Sequence, residues 1–413
     1  MTHSYILTDI PNFKDVLQND TITNLNIFKL NKVESRTSNN TSYKILRYDK
    51  NFLNIDLISS YGLCRSVVIN SNNQIVGFAP PKSISSELFI TKNIELGEHM
   101  VAQEFVEGTM INVFWDNTIG LTGGWEIATR NNVGATSAFY KGANSKTFRD
   151  MFLEAATCNN LVLDSLDKTK CYSFVLQHPE NRIVAPFKKP QLYLVAVYQI
   201  HNEQDKITVD TFDVEDFKEF FCLLNSTIMF PEIYKYKKYS DLIDKYASMN
   251  TPYHVVGVVI FNKLTGERTK IRNPVYEQVR NLRGNQPKIQ YQYLCLRKEG
   301  KVGDFLKFYP ENKKEFSSFR DQIHLFTETL YSNYVSCYIK KEKPLKEFSE
   351  QYRTHMFNIH KMYLDDLREK KLFVTNSVVI KYVNEMHPSL LMYCLNFQMR
   401  KRNVDTIVAD NNV

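Results

Sequence analysis

A change of hydrophobic period near residue 305 limits what this chain can fold into more than any other feature. Before it, apolar residues come in short β-branched or aromatic runs bounded by turn residues, as in strands. After it, they recur at spacings of three and four, as on one face of a helix. Ser66 to Asn70 and Gln74 to Ala79 flank Ser71-Asn72-Asn73, a hairpin signature. Thr109 to Trp115 and Trp125 to Thr129 form a second candidate pair, and Tyr172 to Gln177 and Gln191 to Ile200 a third. Val255 to Asn262 reads as a continuous apolar strand, followed by a turn at Leu264-Thr265-Gly266 and by Arg268 to Ile271. One helix is predicted among them, over Ser145 to Ala156. In the tail, Phe316, Phe319, Ile323, Phe326 and Leu330 share a helical face. Pro344 is read as opening a second helix that carries Tyr352, Met356, Ile359, Tyr363 and Leu367. Thr375 caps a third, and Pro388 opens a fourth. A strand-rich part followed by an all-helical part predicts an α+β domain over 1–305 and a helical domain over 306–413.

Composition narrows the class. A chain of 413 residues with 43% hydrophobic and 23% charged residues is globular and long enough for two or three domains. It has no run of 18 apolar residues and no basic stretch followed by an apolar core at its start, so neither a membrane span nor a secretory signal is expected. Seven scattered cysteines, an odd number without any CxxC, suit free thiols in a reducing, cytoplasmic setting. His355 and His360 stand five apart, on different faces of a helix, so no metal site is expected there. The net charge of +7 leans slightly toward a polyanionic partner.

Four segments stand out: Glu104-Phe105-Val106-Glu107-Gly108-Thr109, Glu126-Ile127-Ala128-Thr129-Arg130-Asn131, His178-Pro179-Glu180-Asn181-Arg182-Ile183-Val184, and Arg268-Thr269-Lys270-Ile271-Arg272-Asn273-Pro274. Lys270 and Arg272 alternate along a strand, so both point to one face, where two cations can cradle a phosphate. The plainer reading is a solvated strand edge with charged gatekeepers, and pattern alone favours it. Likewise Arg182 and His178 read first as residues that order a turn. Lys340, Lys341, Lys343 and Arg400-Lys401-Arg402 read first as solvated charge.

In their order along residues 40–300, these segments resemble the phage-type RNA ligase 1 (tRNA-repair RNA ligase) family of the covalent nucleotidyltransferase superfamily. Leu63-Cys64-Arg65-Ser66, then a hairpin and Pro80-Pro81-Lys82, resembles the stretch before the family's nucleotide-attachment motif. Phe105-Val106-Glu107-Gly108 falls at that motif, normally Lys-x-Asp/Glu-Gly. Ala128-Thr129-Arg130 is similar to the basic strand end that follows. Pro179-Glu180-Asn181-Arg182-Ile183-Val184 resembles a Pro-x-Asn-Arg-Ile-Val stretch. Val256-Gly257-Val258-Val259 stands where the family has Glu-Gly-x-Val, and Lys270-Ile271-Arg272 at its final Lys-x-Lys. The Asn-, Ile- and Lys-rich style is similar to homologues carried by large DNA viruses. The resemblance implies a nucleotidyltransferase (ATP-grasp-like ligase) domain with antiparallel sheets, followed by a helical domain that aids RNA choice.

The departures from the family are as informative as the matches. The family's first step is attack of a lysine amine on the α-phosphate of ATP, which needs a nitrogen lone pair. Phe105 stands at that position, so no catalytic residue is assigned. Val175 and Val256 stand where the family has glutamates, and valine offers no oxygen to Mg²⁺, so no metal ligand is assigned either. Arg65, Lys82, Glu107, Gly108, Arg130, Lys270 and Arg272 remain as nucleotide- and phosphate-binding candidates. The expectation is an RNA ligase-like protein, defective in self-adenylation, that binds RNA (a tRNA or an RNA end) or a nucleotide. An active ATP- and Mg²⁺-dependent ligase with a relocated nucleophile, Lys82 or Lys270, is the first alternative. A structural or scaffold protein of a large DNA virus, in the host cytoplasm or a viral factory, is the second. Partner residues and oligomeric state are not legible.

Overall fold

A computed structural model describes residues 2–18, 27–35, 40–94, 97–139 and 145–400. Lys401 and Arg402, named above, lie outside them. The chain divides into two compact units, Met1–Arg280 and Asn281–Val413. The helices Ile289–Lys298 and Val302–Phe308 belong to the second unit and lie on either side of residue 300. Each has too few turns for its period to stand out in the sequence.

The strands of the first unit are β1 (His3–Ile6), β2 (Phe28–Ser35), β3 (Thr41–Tyr48), β4 (Val67–Ile69), β5 (Ile75–Phe78), β6 (Met100–Glu104), β7 (Thr109–Asp116), β8 (Gly124–Ala128), β9 (Lys170–Gln177), β10 (Gln191–Asn202), β11 (Ile207–Phe212), β12 (Ile233–Tyr234), β13 (Gly257–Asn262) and β14 (Arg268–Arg272). They form three antiparallel sheets, ordered β1-β11-β10-β9-β7-β8, β12-β6-β13-β14 and β2-β3-β4-β5. The hairpins read from the sequence are there: β4 pairs β5, β7 pairs β8, β9 pairs β10 and β13 pairs β14. With the helical second unit, the architecture is α+β.

Strand alternation decides which residues meet the core. In the four-stranded sheet of β6, β13 and β14, Ala102, Val258, Ile260 and Ile271 pack with Phe89, Tyr239 and Leu242 from the helices Ser86–Lys92 and Tyr239–Tyr246. Burying that face turns the alternate residues the other way. In register, Gln103 pairs Val259, Val259 pairs Lys270, and Phe261 pairs Arg268. Gln103, Val259, Phe261, Arg268 and Lys270 therefore share the opposite face, with Phe105 and Arg272 continuing it. The six-stranded sheet buries Ile111, Phe174, Leu176 and Leu192 against the helix Phe148–Cys158, whose start is fixed by a reciprocal cap between Thr147 and Asp150.

Two glycines hold the site's backbone. Gly108 (φ +147°) and Gly257 (φ +135°) adopt conformations that side chains rarely take. A Cβ at Gly108 would lie 2.4 Å from the Leu176 carbonyl oxygen, and one at Gly257 2.1 Å from that of Ile271. Gly257→Ala is therefore expected to destabilise by on the order of 3–5 kcal/mol, strain and overlap together. Urea unfolding measures it, and a loss below about 0.5 kcal/mol would contradict this geometry.

In the second unit the longer helices are Lys313–Tyr334, Glu350–Met362, Asn376–Glu385 and Pro388–Leu395. Phe316, Ile323, Phe326 and Leu330 are buried, as their spacing requires. Pro344 differs from expectation. It precedes only a single 3₁₀ turn, Leu345–Glu347, and the helix proper starts at Glu350 after Ser349. Phe326 packs on Tyr352, and Tyr334 on His360. The contacts advance in step, so these two helices run parallel. No helix of the described residues is long and apolar enough to cross a membrane. The charge is unevenly shared. Residues 1–280 hold 30 Lys and Arg against 30 Asp and Glu, and residues 281–413 hold 22 against 15, so the second unit carries the whole +7.

Candidate functional site

Phe105 follows the last residue of β6, and its amide donates to the Gly257 carbonyl at 3.3 Å. That bond ties Phe105 to the start of β13. The Phe105 ring lies under two cations from β14: the Lys270 Nζ is 4.6 Å from the ring centre and the Arg272 guanidinium carbon 5.5 Å. Such cation–ring contacts are favourable when partly desolvated. The ring itself has no lone pair for covalent chemistry.

Arg65, Lys82, Arg268 and Arg272 surround Lys270 electrostatically. Burial first, and then these four cations, push its amine down to about 6. Burial also lowers Arg65, to about 10, with Arg268 and Arg130 adding to the effect. Lys82 is lowered by burial and then by Arg65, Lys50 and Arg130. Arg272 pairs with Glu277 at 2.7 Å. Among the described residues, Arg65, Lys82, Arg130, Arg268 and Lys270 have no carboxylate partner. The Nε atoms of Arg47, Arg130 and Arg268 are buried without any hydrogen-bond partner. Leaving charged donors unpaired costs stability, so this cluster suits an anion.

Not every candidate faces that cluster. The Glu107 carboxylate accepts from the Val184 amide at 2.5 Å and the Ala185 amide at 3.1 Å. It anchors the loop that runs from Pro179 to Ala185. Asn181 donates to the Thr109 hydroxyl at 2.8 Å, Arg182 Nε to the Val184 carbonyl at 2.9 Å, and the Glu180 amide to His178 Nδ1 at 3.1 Å. The loop's polar residues thus order the loop. Gly108 lets β7 approach β9, where Val175 Cγ1 leaves no room for a Cβ. Arg130 lies over the Tyr48 ring, 5.5 Å from its centre, on the Arg65 and Lys82 side of the cluster.

Val175 is buried with Val106 and Tyr193 in a small apolar cluster that Met110 and Val195 complete. Val256 is buried, and its carbonyl accepts from the Asn273 amide at 2.9 Å. Valine at either position offers no oxygen to a hard cation. Arg268 and Arg47 join the site without having been singled out individually. Arg268 was legible in principle, since Arg268, Lys270 and Arg272 alternate. Arg47, whose Nη1 bonds Asn131 at 2.5 Å, reaches the site only through sheet pairing.

The electrostatics carry a pH dependence. Lys270 titrates at about 6 when folded and at 10.5 when free, so between those values the unfolded chain holds the extra proton. Stability of the ligand-free protein therefore rises with pH across that window and falls toward pH 6. An anion at Lys270 restores the proton, so sulfate affinity is expected to fall by up to about tenfold per pH unit above about pH 6. Thermal midpoints with and without sulfate near pH 6 and pH 9 test this. A sulfate shift independent of pH would contradict it.

No family model matches the chain. Two curated proteins are similar in sequence. An RNA ligase of Rhodothermus phage RM378 is 23% identical over 288 residues, 62% of this chain and 64% of that protein. The immediate-early protein ICP-46 homolog of Invertebrate iridescent virus 6 is 24% identical over 348 residues, 78% of this chain and 71% of that one. The match thus spans slightly less than two thirds of the phage ligase's own length. Among solved structures, an archaeal ATP-dependent RNA ligase is 12% identical over 70% of this chain and 67% of that one, with a TM-score of 0.38. A Naegleria gruberi RNA ligase variant with ATP and Mn gives 12%, 44%, 51% and 0.31 for the same quantities. By sequence, the chain is related to phage and viral RNA ligase-like proteins.

Proposed function

We propose that this RNA ligase-like chain grips a phosphorylated RNA end, or the phosphates of a nucleotide, without joining it covalently to itself. The observation that carries this reading is the cation cluster beside Phe105, in which Arg272 alone has a carboxylate partner among the described residues. It can neutralise several phosphate charges where the attachment residue lacks a nucleophilic atom. The side chains of Val175 and Val256, both buried, support the same reading, because a metal-assisted transfer needs oxygen ligands. The positive second unit is suited to hold the body of the RNA, a tRNA-like structure among the candidates, by counterion release. Fluorescence anisotropy with 5′-phosphorylated and 5′-hydroxyl forms of one RNA tests it. The phosphorylated form should bind more tightly. No detectable affinity for either form at about 50 mM salt would favour the scaffold reading instead.

A second reading is favoured by one observation. The Lys270 amine stands over Phe105 and titrates at about 6, so it is mostly neutral at pH 7. A neutral amine there could attack the α-phosphorus of ATP, forming a P–N bond as pyrophosphate leaves and the amine's proton passes to water. Lys82 suits this less, since its amine bonds the Ser83 carbonyl at 3.0 Å. An AMP adduct mapped to Lys270 by peptide mass spectrometry would establish this second reading.

A further inference from the structure

In the second unit, the parallel helices Lys313–Tyr334 and Glu350–Met362 each end in a five-residue π-helical turn, Val335–Ile339 and Tyr363–Leu367. Such turns are rare and recur at functional places. Ring contacts join the two ends: the His360 ring stacks on Tyr338, with centres 3.9 Å apart, and faces Tyr363 at 5.9 Å. Both helices therefore close at one end of the unit. Each turn is followed by a lysine in the left-handed region, Lys341 (φ +56°) and Lys371 (φ +54°), where glycine is the ordinary residue. After such a cap the next apolar side chain ordinarily folds back on the last helical turn. Leu372 does not. Its amide donates to the Leu367 carbonyl at 2.9 Å, yet the residue is 53% exposed, and Phe373 beside it 74%. Ile339 and Leu364, in the two π-helical turns, are exposed as well. The same end carries Lys341, Lys361, Arg368 and Lys371, which have no carboxylate partner among the described residues, whereas Lys340 and Lys370 pair with Glu342 and Asp366. Solvated charge accounts for the lysines alone, but not for consecutive large apolar residues held in water by a strained turn. Apolar side chains at a turn, ringed by cations, match a surface that is oily below and negatively charged above.

We propose that this end of the second unit docks on an anionic lipid membrane, with Leu372 and Phe373 entering the boundary between headgroups and acyl chains. Lys341, Lys361, Arg368 and Lys371 meet the lipid headgroups. The chain then lies on the bilayer without spanning it. None of these residues belongs to the Phe105 cluster, so the inference stands apart from the phosphate-gripping reading.

The test is co-sedimentation of the full chain with vesicles of phosphatidylcholine alone and of phosphatidylcholine mixed with phosphatidylserine. The chain is expected to sediment with the mixed vesicles only, and less so as salt is raised. The Leu372→Ser, Phe373→Ser double variant keeps every charge, and should bind the mixed vesicles about tenfold or more weakly. Both positions are exposed, so the fold does not depend on them. As a direct readout of insertion, Phe373→Trp should add a blue-shifted emission on mixed vesicles that the parent lacks. Sedimentation with neither vesicle, equal sedimentation with both, or undiminished binding by the double variant would overturn the inference. A double variant that loses affinity for RNA, from a parent that ignores vesicles, would assign the surface to RNA and overturn it likewise.

Discussion

The Lys270→Met, Arg272→Met double variant is expected to lose about 100-fold or more of the affinity for 5′-phosphorylated RNA, and also to unfold at a higher temperature than the parent. Each charge-assisted hydrogen bond to a phosphate is worth about 1.5–3 kcal/mol, so two together reach at least about 3 kcal/mol, or more than 100-fold. The stability gain has a separate cause. Lys270 is held far below its ordinary range by burial and by Arg268, Arg65, Arg272 and Lys82, so its charge is unfavourable in the free protein. Methionine keeps much of the apolar stem of both side chains over the Phe105 ring while removing the repulsion. Glu277, released from Arg272, still pairs Arg280. Opposite signs for binding and stability mark a site strained for a ligand. A variant that binds as the parent does, or that loses stability along with binding, would identify these two residues as structural.

Salt should weaken binding steeply. Contacts from the six cations Arg65, Lys82, Arg130, Arg268, Lys270 and Arg272 to a single strand would give a log–log salt slope of about −4. Raising salt from about 50 to about 200 mM then costs roughly 300-fold in affinity. The slope is measured by titrating one RNA at several salt concentrations. Contacts from the second unit would steepen it. A slope near −1 would mean that the cluster does not meet the RNA as a group.

The architecture was largely open to reading from the sequence, because its signals are local. Hairpins such as β4–β5 and β13–β14 announce themselves by turn residues between apolar runs. The helix Lys313–Tyr334 does so by period. The short helices Ile289–Lys298 and Val302–Phe308, and the delayed start at Glu350, did not, because a brief apolar run or a lone proline leaves the period undecided. In the site, alternation on β14 correctly gathered Lys270 with Arg272. The approach of Arg65 and Lys82 to Lys270, with Arg130 beside those two, depends on pairings between residues far apart in sequence, which no spacing records. Glu107 shows the opposite limit. A carboxylate two residues after Phe105 looked like a ligand group, yet its oxygens hold the amides of Val184 and Ala185. A buried acceptor is satisfied by the nearest unpaired donors, and those belong to a loop some 75 residues away.

The central claim is that binding at Phe105 stops short of covalent chemistry. Incubation of the full chain with α-labelled ATP or GTP and Mg²⁺ or Mn²⁺, followed by denaturing electrophoresis, measures this most directly. The expected result is no labelled protein band, with RNA binding intact in the same preparation. A band that survives denaturation and is retained by Lys270→Met would place a nucleophile elsewhere. One that disappears with that substitution, and whose adduct maps to Lys270 in the parent by peptide mass spectrometry, would make Lys270 the relocated nucleophile. Either would contradict the claim.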